Sequence, residues 1–547
     1  MKRNSFVEGT FIATAAVVLV KILGMLYVIP FYHIVGSQGG ALYSYAYNIY
    51  NIFLSMSSAG LPSAVSKIIS EYDTLGYHDA KNRAISIAYK LIGILSIVVF
   101  LVLFVFADEI GMLIIHNIEG GNTYQDIAFV VRCVAPAVLV IPFLSVTKGY
   151  LQGHKYMSPS SVSQLIEQIV RIVVILLGSY LVLNVFHGTL SLAVGIAVSG
   201  AFVGGLAAVI YLRFMIRKHG DELFGKSDKK DLISNKEILK KIVGYALPFV
   251  IIAVVNDLYS FTDQYLVLHT INKMGYSTSD VEFIASSVST WAPKICMIIN
   301  ALAIGMMSPL IPAISSAVAR KDNDEVEAKI NKAISLVVYV SLPLALGINI
   351  LAEPIWGLFY NYNVYGPYIL RVIAFSAVLG NVYLVLSTSL QSLSKYKLVY
   401  VISILGFVLN GLLDVPIMWL CHFIGIEGFI GSTISSYIGY SVSIIIGLYY
   451  LHKDNHISFK YTMSILSRSL VPGALMMTVL LIFNHFAAFN YQSTIGSIVM
   501  IIVNMVIGAP IFLYVSYKMG ILQDVFGMNN LKKIVRKLTF NKVKLGD

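Results

Sequence analysis

The sequence predicts an all-α polytopic membrane protein. Three observations carry that prediction. Apolar residues make up 57% of the chain, with a mean hydropathy of +0.78. Asp, Glu, Lys and Arg together make up only 12%, about half the ~25% usual in soluble domains. The apolar residues gather in runs of about twenty or more, the length a helix needs to cross a bilayer. So little charge cannot coat a soluble globule of this size, and a disordered chain would not carry such runs.

Fourteen spans are expected, at about 6–32, 41–71, 84–107, 127–151, 159–184, 189–213, 241–269, 283–318, 330–352, 367–391, 397–421, 427–452, 462–485 and 492–517, on the ~20-residue criterion. The first opens with Lys2 and Arg3 and so mimics a signal peptide. Its apolar run continues through Lys21 to about Tyr32 with no small-residue cleavage site before it, so it is read as a span. Charge orients the rest. With a cytoplasmic N-terminus, 33 of the 39 Lys/Arg fall in cytoplasmic loops, tails or helix ends. That asymmetry is what the positive-inside rule requires, and an even span count returns the C-terminus to the cytoplasm. The net charge of +11 sits mostly at 213–241 and 518–547. Basic segments flanking apolar spans read as anchors against anionic lipid rather than as a nucleic-acid surface. Cys133, Cys296 and Cys421 lie far apart, with neither disulfide nor metal spacing.

The chain also repeats itself. Arg132-Cys-Val-Ala-Pro through Leu151-Gln152-Gly153 matches Arg371-Val-Ile-Ala-Phe through Leu390-Gln391-Ser392 at an offset of 239, and Ala84-Ile85-Ser86 matches Ala333-Ile334-Ser335 at 249. Two pseudo-symmetric six-helix lobes are expected, 1–215 and 241–452, joined by a cytoplasmic linker loop at 216–240. Two further C-terminal helices occupy 453–517, and a basic tail occupies 518–547. Transporters built from such repeats bind substrate at the repeat interface and alternate access between the two sides. Every outer loop is short, the longest being about Asp108–Asp126, so no extracellular catalytic domain fits and an enzyme is not expected. Gly220-Asp-Glu-Leu-Phe-Gly225-Lys226-Ser227 satisfies the P-loop pattern. It lacks the preceding strand and the sheet that a P-loop needs, so it is read as chance and no nucleotide is expected. The stretch Leu531–Leu538 can form an amphipathic helix on the inner leaflet, or simply a basic tail.

Charges at mid-depth need a reason, since each costs at least ~2.5–3.5 kcal/mol on insertion scales. Lys21 lies about fifteen residues into the first span, roughly 22 Å along a helix and too deep to reach either face. Lys294 follows Pro293, which bends a helix and frees a carbonyl one turn earlier. Arg171 has Glu167 four residues before it, so an intrahelical ion pair competes with a functional role. Gln164 and Gln168 widen that polar stripe. These three cations are the candidate substrate-binding residues. Asp257 lies sixteen residues into the seventh span, with Asp263 further along it. Asn410 and Asp414 are four apart and share a face of the eleventh. Converging carboxylate and amide oxygens suit a small cation or a proton relay, so Asp257, Asn410 and Asp414 are candidate ion-coupling residues. Neutralising the buried cations is the competing explanation. Gly200 and Gly204 form a small-residue face suited to close helix packing.

The first spans read Val20-Lys21-Ile-Leu-Gly24-Met-Leu-Tyr27-Val-Ile-Pro30-Phe31, then Val35-Gly36-x-x-Gly39-Gly40-Ala41-Leu42, then Ala59-Gly60-Leu-Pro62-x-Ala64-Val65-Ser66-Lys67. Later come Gly149-Tyr-Leu-Gln152-Gly153-His154 and Gln164-Leu-Ile-Glu167-Gln168-Ile-Val-Arg171-Ile. In this order, over essentially the whole chain, these motifs resemble the MurJ-type lipid II flippases. The likeness is strongest to the YtgP branch near the SpoVB proteins, in the multidrug/oligosaccharidyl-lipid/polysaccharide exporter superfamily. The resemblance implies two six-helix lobes around a central cationic cavity, with the last two helices forming a groove for a polyprenyl tail. It implies lipid II as substrate, the undecaprenyl-diphosphate-linked disaccharide-pentapeptide precursor of peptidoglycan. Family cavity cations fall on Lys21 and Lys294. A second first-helix arginine falls on Tyr27, and the second-helix arginines fall near Leu54 and Ser55, which leaves Arg171 as a candidate for the missing charge. Some members hold sodium with an Asp on the seventh helix and an Asn/Asp pair on the eleventh, a spacing that Asn410 and Asp414 match.

The expected function is flipping of lipid II from inner to outer leaflet of a bacterial plasma membrane. It would proceed by alternating access, driven by the membrane potential or an ion gradient, with no cofactor beyond a coupling Na+ or H+. The expected partners are the lipid-linked oligosaccharide and membrane lipids. The rival readings are a flippase for another lipid-linked polysaccharide and a cation-coupled multidrug exporter. The exporter should centre its cavity on acids, whereas the deepest charges here include three cations.

Overall fold

A computed structural model describes residues 6–116, 118, 120–219, 223, 233–487 and 493–527, with only the backbone described at 6–14, 302–309, 311–313 and 319. The described residues are helical almost throughout and contain no strand. Twelve helical stretches among them are long and apolar enough to cross a membrane. These coincide with twelve of the fourteen expected spans. The other two, about 6–32 and 283–318, fall on helices whose side chains are only partly described. The P-loop-like stretch, apart from Leu223, and the expected amphipathic tail helix lie outside the described residues. The chain forms two compact units, Met1–Lys294 with Ser403–Ser435, and Ile295–Ile402 with Ser436–Asp547.

The first unit opens with α1 (Phe6–Leu26), α2 (Val28–Ser58), α3 (Leu61–Leu75) and α4 (His78–Val105). It continues through α5 (Ala107–Ile115), α6 (Tyr124–Val134), α7 (Pro136–Gly153), α8 (Met157–Tyr180), α9 (Leu190–Lys218) and α10 (Asn235–Lys273). Then α11 (Thr278–Ser286) runs through a π-turn at Ser287–Trp291 into α12 (Ala292–Ala319). The unit also takes part of α16 (Tyr396–Phe423) and the first residues of α17 (Ile430–Asn455).

Two features of this unit correct the expected spans. The second, expected to run unbroken over 41–71, begins earlier, at Val28, and is interrupted within those bounds at Gly60. Gly36 takes φ +68° within α2, and Gly60 takes φ +73° between α2 and α3. Glycine tolerates these left-handed angles, and Pro62 then starts α3 in its first turn, where its missing N–H costs nothing. A Cβ at Gly60 would also meet Phe249 Cβ at 2.5 Å and the Ala246 carbonyl at 2.8 Å, so the bend is packed tightly against α10. The second feature is the π-turn immediately before Pro293. It widens the helix by one residue per turn where the proline removes a donor, instead of simply kinking it.

Small residues let the helices around the cations approach closely. A Cβ on Gly204 of α9 would lie 2.5 Å from the Glu167 carbonyl of α8, and one on Gly200 3.0 Å from the Arg171 carbonyl. A Cβ on Gly149 of α7 would lie 2.4 Å from the Pro62 carbonyl of α3. An apolar core including Ile68, Ile69, Tyr72, Leu144, Leu151 and Leu212 packs α3, α4, α7 and α9 together.

The second unit contains α13 (Asn323–Ile350), α14 (Ala352–Tyr360), α15 (Tyr365–Ser392), α18 (Lys460–Phe486), α19 (Thr494–Lys518) and α20 (Ile521–Phe526), with the remaining parts of α12, α16 and α17. Tyr339, Ile465, Met476, Leu480, Phe512, Ile521 and Val525 form a core that joins α18, α19 and α20 to α13. Each unit carries the same local device. Arg132 pairs with Asp108 in the first turn of nine-residue α5, and Arg371 pairs with Glu353 (2.9 Å) in the first turn of nine-residue α14.

Candidate functional site

All six residues singled out as candidates lie in the first unit. Lys294 is the most unusual of them. It is 8% exposed, and among the described residues it has no acidic partner. Its ammonium instead sits 4.9 Å from the Trp291 ring centroid, 5.0 Å from Tyr43, 5.1 Å from Tyr27 and 5.2 Å from Tyr47. It donates a hydrogen bond to the Tyr27 hydroxyl at 2.9 Å, and that hydroxyl lies 3.2 Å from the Tyr43 hydroxyl. Each cation–π contact of this kind contributes about 0.5–2 kcal/mol, the larger value where water is excluded. The rings brace one another, with Tyr43 stacked on Tyr47 and on Trp291 at 5.6 and 5.9 Å between centroids.

A buried neutral network holds this cage. Ser44 Oγ and Thr290 Oγ1 are 2.7 Å apart. The Asn48 amide donates to Gln264 at 2.9 Å and to Thr290 at 3.2 Å, and Gln264 donates back to Ser44 at 2.7 Å. The network ties α2 and α10 to the π-turn, so the side chains leading into Lys294 are fixed from two helices. Satisfied networks of this kind rigidify a core.

Arg171 is held differently. Its guanidinium pairs with Glu167 at 3.2 Å, as the four-residue spacing leads one to expect. Glu167 also takes a bond from Lys148 of α7 at 3.0 Å. One carboxylate therefore lies between two cations, all three at most 21% exposed, and the group keeps one net positive charge. The Arg171 Nε is buried without a hydrogen-bond partner. Lys148 was missed in the sequence because it falls near the expected end of a span, where lysine is ordinary. Lys21 is partly buried on α1, which packs against α8 where a Cβ on Gly24 would meet Gln168 at 3.4 Å. Among the described residues Lys21 also lacks an acidic partner.

The acids divide into two places. Asn410 and Asp414 do come together, both fully buried, but their acidic neighbour is Asp263 and not Asp257. The Asn410 amide donates to Asp263 at 2.7 Å and to Asp414 at 3.4 Å, and Ser435 donates to Asp414. The second Asp414 oxygen is buried without a hydrogen-bond partner. Asp257 accepts from Ser55 on α2 instead. The reason is helical geometry: six residues turn Asp263 about 120° around the helix from Asp257 and carry it ~9 Å along the axis, so the two cannot serve one site. Carboxylate, amide and hydroxyl oxygens with an unsatisfied buried lone pair are a donor set that fits a hard monovalent cation or a proton.

The chain as a whole is similar to known proteins. The family model described as "Polysaccharide biosynthesis protein" matches residues 6–318. The chain belongs to this family. The MatE family model matches residues 285–415. Over 536 residues the chain is 27% identical to the lipid II flippase MurJ of Bacillus subtilis (strain 168), covering 96% of this chain and 97% of that one. It is 24% identical over 336 residues to stage V sporulation protein B of the same organism, covering 61% and 63%. A solved structure of a lipid II flippase MurJ in an inward closed conformation superposes with a TM-score of 0.63 at 15% identity, over 93% of this chain and 99% of that one. An inward-facing multidrug resistance MATE transporter of the MOP superfamily superposes at 0.61 and 16%, over 80% and 94%. The fold is that of this transporter superfamily, and the chain is a multi-pass cell-membrane protein.

Proposed function

We propose that this protein flips a polyprenyl-diphosphate-linked glycan, lipid II, from the inner to the outer leaflet by alternating access. The observation that carries the reading is Lys294, a buried cation held by rings and not by an acid. Lys21 and the surplus charge of the Lys148–Glu167–Arg171 group add two more positive charges in the same unit. A polyprenyl diphosphate carries about two negative charges, and in a low-dielectric setting each cation–phosphate contact is stronger than in water. The apolar tail stays in lipid while the head crosses. An inside-negative potential drives the anionic head outward by up to ~2.3 kcal/mol per charge per 100 mV. No nucleotide is needed in this scheme. The similarity to the Bacillus subtilis flippase over nearly both whole chains supports the choice of substrate.

Asp263, Asn410, Asp414 and Ser435 are the residues that would hold the coupling ion, sodium or a proton. Bound there, it would cancel the mutual repulsion of two buried carboxylates. The MatE match over residues 285–415, which takes in Asn410 and Asp414 of this group, favours a second reading, a cation-coupled exporter. The two separate by experiment. Proteoliposomes carrying labelled lipid II should flip it faster with an inside-negative potential, and Lys21→Ala with Lys294→Ala should abolish flipping. Unchanged flipping in that double variant removes the reading. Cationic-drug efflux without lipid II flipping selects the exporter. Replacing sodium by choline, or collapsing the pH gradient, identifies the ion.

A further inference from the structure

A carboxylate partner would neutralise Lys294. The rings around it do not. Aromatic faces attract a cation through their quadrupole but supply no net charge, so the caged ammonium keeps its full unit charge available to an arriving anion. The hydrogen bonding has a direction as well. An ammonium has only donors, so at 2.9 Å Lys294 donates and the Tyr27 oxygen accepts. The Tyr27 O–H is then left to donate, and its neighbour in the cage is another phenol, Tyr43, at 3.2 Å. A hydroxyl that accepts from a cation is polarised into a stronger donor. An anionic phosphate oxygen is a better acceptor for it than a second phenol.

We propose that Tyr27 donates directly to a phosphate oxygen of the substrate, beside the Lys294 ammonium, and that the Tyr43, Tyr47 and Trp291 rings hold that ammonium in place and aimed while the carrier is empty. Tyr27 is thus a substrate-binding residue, and the three rings are positioning residues. The Tyr47 ring faces Lys294 at 5.2 Å without a hydrogen bond to it, so its role needs the ring and not the hydroxyl. The inference rests on the reading that the substrate is a lipid diphosphate.

Trp291 lies in the cage and reports on it. The full-length protein in lipid nanodiscs is titrated with undecaprenyl diphosphate, with undecaprenol and with lipid II, and tryptophan emission is followed. The part of the change that vanishes in Trp291→Phe belongs to the cage. Undecaprenyl diphosphate is expected to give a saturable change and undecaprenol none. Tyr27→Phe, which keeps ring and volume, should raise the half-saturation concentration about tenfold or more, the scale of one hydrogen bond to a charged group. Tyr43→Phe should stay within about twofold, since the hydroxyl it removes competes with the phosphate. Tyr47→Leu should weaken binding and Tyr47→Phe restore it. An unchanged half-saturation in Tyr27→Phe, an equal loss in Tyr43→Phe, or a response to undecaprenol as large as that to the diphosphate overturns the proposal. If wild-type protein flips no lipid II but still binds undecaprenyl diphosphate in a Tyr27-dependent way, the cage stands and the choice of glycan falls.

Discussion

Lys294, buried, and Arg171, partly buried, are cations of the same unit, yet they are stabilised in opposite ways. Arg171 shares a carboxylate with Lys148, so removing Glu167 would leave two positive charges facing each other. Lys294 leans on four rings and one phenol oxygen, with no acid to lose. The first arrangement fixes helices, joining α7 to α8 where the Gly204 contact already brings α9 against α8. The second leaves a charge unspent. A buried charge built for stability and one kept for a ligand can therefore be told apart by whether the counter-charge is part of the protein.

Substitutions test that distinction, beginning with the largest expected effect. Glu167→Gln should destabilise the protein by about 3–5 kcal/mol, the usual cost of breaking a buried pair from one side. Thermal unfolding in detergent measures it, and adding Lys148→Met should recover part of the loss. A Glu167→Gln protein as stable as wild type would mean the group is not structural.

The next effect is a pH dependence in a region away from both cations. Glu282, 3% exposed in the middle of α11, accepts from the Asn122 backbone N–H at 2.9 Å and from its side-chain amide at 2.8 Å. Burial raises its pKa from 4.5 to about 7. Between those values the folded protein binds a proton that the unfolded chain does not, so stability should fall as pH rises from 4.5 to 7 and level off above. The full change is up to roughly 3 kcal/mol. Melting temperatures taken across that range should show the slope, and Glu282→Gln should flatten it. A slope that survives the substitution would assign it elsewhere.

Gly204→Ala places a methyl 2.5 Å from the Glu167 carbonyl, so α9 must move off α8. We expect a loss of about 1–3 kcal/mol in the same unfolding assay, in line with overpacking elsewhere. The smallest effect on stability should come from Lys294→Gln, within about 1–2 kcal/mol, because the lost cation–π contacts and hydrogen bond are largely offset by no longer burying a charge without a counter-charge. Flipping should nevertheless collapse. A Lys294→Gln protein that unfolds as readily as Glu167→Gln would erase the contrast between the two cations.

Much of this was legible in the sequence because one-dimensional patterns have local causes. Run length gave the helices, and the charge at Lys21, Arg171 and Lys294 broke the apolar pattern and so announced itself. The Glu167–Arg171 pair follows from four-residue spacing alone, and so does the shared face of Asn410 and Asp414. Other features left weaker marks. Tyr43 and Tyr47 are also four apart, and Trp291 lies three residues before Lys294, but an aromatic stripe in a span is ordinary packing until a cation is known to point at it. Lys148 looked like one more basic helix end. The bend at Gly60 divides what reads as one apolar run.

The sequence by itself determined which residues sit in oil, since hydropathy and helix periodicity are sums over neighbours in the chain. Only the tertiary structure decided their partners. Tyr27 and Lys294 are 267 residues apart, and Asp263 and Asn410 are 147 apart. No local rule links such distant positions, and whether a buried cation meets an acid or a ring depends on which helix is packed against it.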